Sequence, residues 1–259
     1  MRGPTTDPTR LLPPADPPPL PGPPLLRQGW RDAVFAHWSI PPARAASLLP
    51  AHTRPDTLDG LTYVGLVAFR VPFTEAAGIP VGGFDEVNVR LYSVDPHGRR
   101  GVVFLSMDAD AAHGVLAARA LTGLPYMWSD VSMRGVDDVH AGSVRRRLPG
   151  GGARGRWRLT VGERLDRVSR LERFVTARWG LHTRHAANTW WIRVEHRPWP
   201  LHRVRSWSYE GDLLRAAGVP VDDREPVSVL WSPGVDTEVS PSLVTASRAR
   251  ALRSRRLGA

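Results

Sequence analysis

Eight or more segments of this chain read as β-strands, and most are joined by turns too short to hold a helix. That succession constrains the fold more than any other feature. A doubly wound sheet needs strands and helices in alternation, and here the strands outnumber the helices. WRDAVFAHWSIP (Trp30–Pro41) carries Phe35 and Trp38, and a second strand, Leu61–Val71, follows a turn at Asp59-Gly60. FDEVNVRLY (Phe84–Tyr92) and VVFLSMDAD pair across the loop DPHGRRG, and Tyr126–Val136 is the next strand. SVRRRL with RWRLTVGE, and GLHTRH with NTWWIRVEH, form hairpins; LHRVRSWSY and PVSVLWSP complete the set. Each is rich in β-branched and aromatic residues and bounded by turn formers. Short helices are expected after Pro42, over Ala109–Leu121, over Leu165–Arg178, and in GDLLRAAGVP, where Gly218 and Pro220 end it. The expected fold is mainly β (α+β), an antiparallel barrel or sandwich with short inserted helices.

The strand Phe84–Tyr92 poses a functional question. Alternation puts Glu86, Asn88, Arg90 and Tyr92 on one face and Val87, Val89 and Leu91 on the other. The polar row either faces water, as in many half-buried antiparallel strands, or lines a site for a polar ligand. Glu86 and Arg90 stand four residues apart, roughly 13 Å along a strand, so they form no local ion pair. They could bracket a small molecule. Arginine offers a planar, bidentate fork to a carboxylate, and a carboxyl group at the other end can exchange protons.

Composition removes several chemistries. The chain has no lysine; all 35 basic residues are arginine. A lysine Schiff base and a Walker-type phosphate loop are therefore excluded. There is no cysteine, hence no disulfide, thiol nucleophile or thiolate metal site. No metal is expected: the nine histidines form no i, i+4 pair on a helix, and His182 and His185 fall on opposite faces of a strand. No nucleophile elbow occurs, and no cofactor is called for. Gly150, Gly152 and Gly155 match G-x-G-x-x-G, but a strand follows them, so the dinucleotide context fails.

The net charge of +10 raises nucleic acid as a partner, with arginine clusters at 145–158 and 248–256. No helix-turn-helix, zinc finger or RNA-binding signature accompanies it, and many arginines sit singly among acids. No apolar run approaches membrane-spanning length, and a cysteine-free chain without a signal-peptide pattern reads as cytoplasmic. Residues 1–28 are proline-dense and expected to be a disordered or polyproline II leader. A single domain over 29–240 and a loose arginine-rich tail over 241–259 complete the division. In HRPWPLHRV the prolines flank Trp199, which is expected to act as a plug or wall. Nothing in the sequence decides for or against a homo-oligomer.

Several phrases together are similar to a family of bacterial proteins of unknown function, the YqjF-like family: HWSIPPARAASLLP, DTLDGLTYVGLVAFRV, GGFDEVNVRLYSVDPHGRRGVVFLSMDAD, ARALTGLPYMWSDVSM and VEHRPWPLHRV. They run in order from about residue 37 to 204. That family resembles the acetoacetate decarboxylase-like superfamily, which implies an antiparallel β-barrel or cone with a central pocket. The superfamily's decarboxylase forms its Schiff base on a lysine in a G-x-P-K-K-like stretch. Gly123-Leu124-Pro125-Tyr126-Met127 takes that place here, so the resemblance carries the fold but not the amine chemistry. It also implies a pocket glutamate upstream, for which Glu86 is the candidate. In a barrel the polar row would face the lumen, with Arg70, Asp108 and Tyr126 as candidate neighbours. The expected function is binding of a small anionic or carbonyl-containing molecule. Arg90, Asn88, Tyr92, Arg70 and Asp108 would hold it, and Glu86 and Tyr126 would be the catalytic pair of any lyase, hydratase or isomerase-like reaction. The alternative is a non-catalytic binding or interaction protein.

Overall fold

A computed structural model of the chain describes residues 12–111, 122–221, 224–240 and 243–246. The strands are β1 (Leu26–Ile40), β2 (Arg54–Pro55), β3 (Thr62–Ala76), β4 (Ile79–Val94), β5 (Arg100–Ala109), β6 (Tyr126–Val136), β7 (Val139–Leu148), β8 (Arg154–Arg164), β9 (Gly180–His185), β10 (Asn188–His196), β11 (His202–Gly211), β12 (Ser228–Val239) and β13 (Leu243–Ala246). Among the described residues, three short helices interrupt them: α1 (Pro42–Ala46), α2 (Arg170–Thr176) and α3 (Leu213–Ala216). No helix among the described residues is long and apolar enough to cross a membrane.

All strands belong to one sheet, and that sheet forks. β12, β1, β3, β4 and β5 make a continuous wall. The outer edge of β5 is divided: Met107–Ala109 pair with β6, and Val102 pairs with β9. The outer edge of β12 is divided too, with Leu230 and Trp231 paired to β11 and Thr237–Val239 paired to β10. β6, β7, β8 and β11 therefore run from one edge of the wall back to the other and close a nine-stranded barrel. β9 and β10 span the same two edges and close a smaller ring on the wall's opposite face. Both junctions on β5 are parallel, the one departure from the expected antiparallel pattern.

Where both closures cover it, the wall has no solvent face; only its projecting ends, such as Phe73, Ile79 and Val81, are exposed. Val87, Val89 and Leu91 point into the nine-stranded barrel and pack with Val34, Trp38, Leu66, Trp157 and Leu159. Each such side chain contributes roughly 1.5–3 kcal/mol of apolar burial. The alternate residues of β4 point into the smaller ring, where Tyr92 packs with Val102, Phe174, Leu181 and Ile192. Helix α2 plugs one end of that ring with Phe174 and Val175.

Some expected boundaries move. The helix expected over Leu165–Arg178 is confined to α2. A capping box between Ser169 and Glu172 starts it there, and Ala177 leaves helical geometry at its end. Residues 112–121, where another helix is expected, lie outside the described residues. β1 begins at Leu26 rather than near Trp30. The chain before it, from residue 12, is extended, and its carbonyls are used. Those of Pro13, Pro14 and Pro18 accept from Arg173 Nε (2.8 Å), Trp179 Nε1 (3.0 Å) and Arg193 Nη2 (2.8 Å). A proline-rich segment offers carbonyls with no ladder partner, and these are satisfied on α2 and β10. Likewise β13 falls within the segment expected to be a loose tail.

The smaller ring depends on close approach of β5 and β9 at two glycines. A β-carbon on Gly101 would lie 2.6 Å from the Gly180 carbonyl oxygen; one on Gly180 would lie 2.5 Å from the Trp191 ring and 2.7 Å from the Ile192 carbonyl oxygen. Gly180→Ala is therefore expected to destabilise the protein by about 1–3 kcal/mol, the usual range for overpacking. Thermal unfolding checks this: the midpoint should fall by several degrees, and an unchanged midpoint would mean that the seam is looser than described.

Candidate functional site

The smaller ring encloses a cavity of about 150 Å³. Glu86, Asn88 and Arg90 enter it from β4, Tyr126 from the start of β6, Arg178 from just beyond α2, and His196 from the end of β10. Trp30, Phe35, Phe69 and Trp199 line it as well. Larger depressions on the outside of the protein contain none of the polar row.

Glu86 stands at one end of the row. Its Oε1 accepts from Asn88 Nδ2 at 2.9 Å, and its carboxylate accepts from the Tyr126 hydroxyl. Burial raises its pKa to about 7, against the opposing effect of the Asn88 and Tyr126 hydrogen bonds and the Arg90 charge. Tyr126 is pushed well above its ordinary value by burial and by the Glu86 charge. Near neutrality the Glu86 carboxyl therefore gains or loses its proton, while Tyr126 keeps its own. Asn88 Oδ1 is buried with no partner among the described residues.

Arg90 forms the other end. Its Nη2 donates to the Val175 carbonyl at 3.0 Å and its Nε to the Tyr92 hydroxyl at 3.3 Å. Its guanidinium lies 5.7 Å from the centroids of both the Phe35 and Tyr92 rings. Among the described residues no carboxylate makes an ion pair with it. Tyr92 is a support: its hydroxyl donates to the Val175 carbonyl (3.1 Å) and meets His37 Nε2 at 2.7 Å. Burial, with Arg90 and Arg178 nearby, holds His37 well below its ordinary pKa, so the ring is neutral.

Arg178 reaches the cavity over the Tyr92 and Phe174 rings, 4.8 and 4.3 Å from their centroids. Its Nη1 bonds Asp56 Oδ2 at 2.5 Å, and Arg100 Nε takes the same oxygen at 2.8 Å. Arg178 Nη2 is buried without a partner among the described residues. His196 Nδ1 donates to the Arg197 carbonyl (2.7 Å), leaving Nε2 as an acceptor; burial lowers its pKa to about 4, so the ring stays neutral.

Three expected site residues do not line the cavity: Tyr92 stands behind the row as a support, and Arg70 and Asp108 lie elsewhere. Phe69 stands opposite Glu86 and Met107 opposite Asn88, so these two share the polar row's face. Arg70 and Asp108 are each one residue further along and point the other way. Arg70 donates to the Met133 carbonyl and approaches Asp32 at 3.7 Å. Asp108 is clamped by Arg146 through two 2.8 Å bonds and by Ser129 at 2.8 Å. Neither lines the cavity. Neighbouring strands supply the site, but their register, invisible in sequence, decides which residues. Arg178, His196, His37 and the ring cluster were not foreseen as site residues. Only Trp199 carried a local signal, its flanking prolines.

A sequence model described as DUF2071, uncharacterized conserved protein (COG2071), matches residues 27–236. The chain belongs to the DUF2071 family. It is 26% identical over 208 residues to the uncharacterized protein YqjF of Bacillus subtilis (strain 168), spanning 78% of this chain and 86% of that one. Among solved structures it is similar to an acetoacetate decarboxylase-like enzyme from Sphingomonas wittichii RW1, with a TM-score of 0.60 and 16% identity over 86% of this chain and 93% of that one. It is also similar to acetoacetate decarboxylase from Legionella pneumophila (0.62, 14%, covering 88% and 89%). The enduracididine biosynthesis enzyme MppR complexed with pyruvate matches with a TM-score of 0.60 and 14% identity, covering 87% and 92%. At these identities the likeness is one of fold.

This DUF2071 protein sets Tyr126 beside Glu86 through the Gly123-Leu124-Pro125 turn. Gly123 has φ +68°, and a β-carbon there would lie 2.4 Å from the Arg184 carbonyl oxygen. One serine–histidine–aspartate line also exists. Ser93 Oγ meets His182 Nδ1 at 2.8 Å, and His182 Nε2 lies 3.6 Å from Asp95. All three residues are buried and none lines the cavity, so the line fastens β4 to β9.

Glu86 makes stability pH-dependent with a definite sign. Its folded pKa, about 7, exceeds the ordinary 4.5. Below 4.5 both states hold the proton; above it the unfolded chain ionises first, so stability falls as pH rises to about 7 and then levels. The loss is on the order of 3 kcal/mol. Glu86→Gln is expected to remove it. Denaturant unfolding at pH 4.5 and pH 8 should show the variant gaining about that much on the wild type at the higher pH, and equal differences at both would contradict the burial of an ionisable carboxyl.

Proposed function

We propose that the cavity binds a small carboxylate, with or without a keto group, and that Glu86 exchanges a proton with it. The observation that carries this reading is Arg90: a guanidinium lining a small enclosed cavity, with carbonyl and phenol oxygens around it and no carboxylate in contact among the described residues. A buried cation of this kind is stabilised by an anion that brings its own oxygens. Arg90 holds the carboxylate, and Asn88 and Tyr92 keep the row in place. Glu86 gives or takes a proton next to the carbonyl, while Tyr126 donates to the oxygen that gains charge. The reaction is of lyase, hydratase or isomerase type. With no lysine in the chain, it runs without a side-chain amine adduct. The fold's appearance in a structure complexed with pyruvate supports a small keto acid as the first compound to test.

Binding without conversion is the second reading, favoured by the missing lysine. Nucleic acid is a weaker partner, because exposed arginines such as Arg147, Arg156 and Arg203 are paired with Asp130, Glu210 and Glu163. A cysteine-free chain of this kind fits the cytoplasm.

Calorimetric titration with sodium pyruvate and with acetoacetate tests the reading. An anion beside Glu86 favours its protonated form, so binding should be about tenfold tighter at pH 6 than at pH 8. Arg90→Ala should weaken it by at least about tenfold, and Glu86→Gln should flatten the pH dependence. Proton NMR of the same mixtures separates turnover from binding alone. Binding that ignores both substitutions would refute the assignment.

A further inference from the structure

Besides its polar row, the cavity is lined by aliphatic side chains and by a cluster of aromatic rings. Trp30 stacks on Trp199 at 6.0 Å between centroids, with planes 13° apart. Phe35 meets Trp199 edge-on at 5.0 Å, Phe69 lies 5.3 Å from Trp30, and His196 lies 5.1 Å from Trp199. Such a box presents flat π faces and ring edges to its contents, which exceeds what a three-carbon acid can use. Its volume, about 150 Å³, is roughly that at which an apolar protein cavity takes up a benzene ring.

Unsatisfied atoms define the polar end. Arg178 Nη2 is a buried donor without an acceptor, on a side chain only 3% exposed. Asn88 Oδ1 is a buried acceptor without a donor, because Asn88 spends its Nδ2 on Glu86. His196 Nε2 is a second acceptor, since Nδ1–H is taken by the Arg197 carbonyl. Buried polar atoms left unpaired cost about 1–3 kcal/mol each. A ligand that satisfies them must therefore bring an anion to the arginines and a hydroxyl or N–H to the acceptors.

We propose that the ligand is an aryl or similarly flat carboxylate bearing a hydroxyl or N–H donor: its acid lies at Arg90 and Arg178, its donor at Asn88, and its ring against the cluster of Phe35, Phe69, Trp30 and Trp199. This rests on the carboxylate reading above and narrows it from small keto acids to hydroxylated or aminated aromatic acids. Phe35 touches both regions, because the Arg90 guanidinium lies over its ring. The acid and ring compartments are thus adjacent, and the two groups belong on one small molecule. The aliphatic residues Val67, Leu181, Ile192 and Val194 also line the cavity.

Four probes dissect the claim on the full-length wild-type protein, read by tryptophan fluorescence and calorimetry. Mandelate carries acid, hydroxyl and ring; phenylacetate lacks the hydroxyl, lactate lacks the ring, and benzyl alcohol lacks the acid. Mandelate is expected to bind about tenfold more tightly than phenylacetate and about thirtyfold more tightly than lactate, with benzyl alcohol weakest. Trp199→Leu should erase the margin over lactate, and Asn88→Leu the margin over phenylacetate. Margins under threefold in the wild type, with pyruvate binding still dependent on Arg90, would overturn this inference and leave the carboxylate reading standing. Failure of pyruvate and of every aryl acid to bind would overturn both. Because the comparison is made among ligands on the wild type, it does not depend on either variant folding.

Discussion

Everything in this molecule follows from a wall of five strands that has no outside. β12, β1, β3, β4 and β5 are closed over twice, once on each face. From Glu86 to Val94 a side chain on β4 is therefore largely enclosed whichever way it points. In an ordinary half-buried sheet the polar row of FDEVNVRLY would lie in water and cost nothing. Here it must be satisfied by protein or ligand, because an unpaired polar group in an enclosed space is expensive. Glu86 meets that demand by holding a proton up to about pH 7, and Arg90 by leaning on two rings and a carbonyl.

Much of this was legible in the sequence, and the part that was not has a common cause. The alternation over Phe84–Tyr92 separated the row from the aliphatics, and β6 runs over Tyr126–Val136 as its pattern indicates. What alternation cannot supply is register between strands. Arg70 and Asp108 sit on neighbouring strands as expected, yet Phe69 and Met107 take the places beside Glu86 and Asn88. One residue of register separates a cavity lining from an ion pair on the far side of the wall. Nor does any local pattern reveal that both faces of β4 are buried. Val87, Val89 and Leu91 look the same in a sheet with one buried face as in a sheet with two.

Contacts distant in the chain were the hardest to foresee. The aromatic box draws Trp30 and Phe35 from β1, Phe69 from β3, and Trp199 from the corner after β10. These segments meet because β10 closes the smaller ring against β12, which is itself paired with β1. Arg178 has a comparable history. In the sequence it ends a helical pattern; in the structure the helix stops at Thr176, and the freed chain turns the guanidinium onto Tyr92 and toward Asp56. The proline-rich segment before β1 is held at the same end, its carbonyls accepting from Arg173 and Trp179 on either side of Arg178.

The pairing of Tyr126 with Glu86 bears most directly on what chemistry such a cavity can host. An amine at this point would act by condensing with a carbonyl and drawing electrons toward nitrogen. A phenol cannot condense; it can only donate a hydrogen bond. Its own pKa is driven upward by burial and by the adjacent carboxylate, so it keeps its proton at neutral pH. Glu86, in contrast, is poised to exchange one. In the proposed reaction the two would separate the roles that an amine combines: Glu86 would transfer the proton, and Tyr126 would stabilise oxygen without ionising. Such a pair suits reactions in which a proton moves and an oxygen gains charge for a moment, and under the proposed function the nearby guanidinium groups would hold the carboxylate.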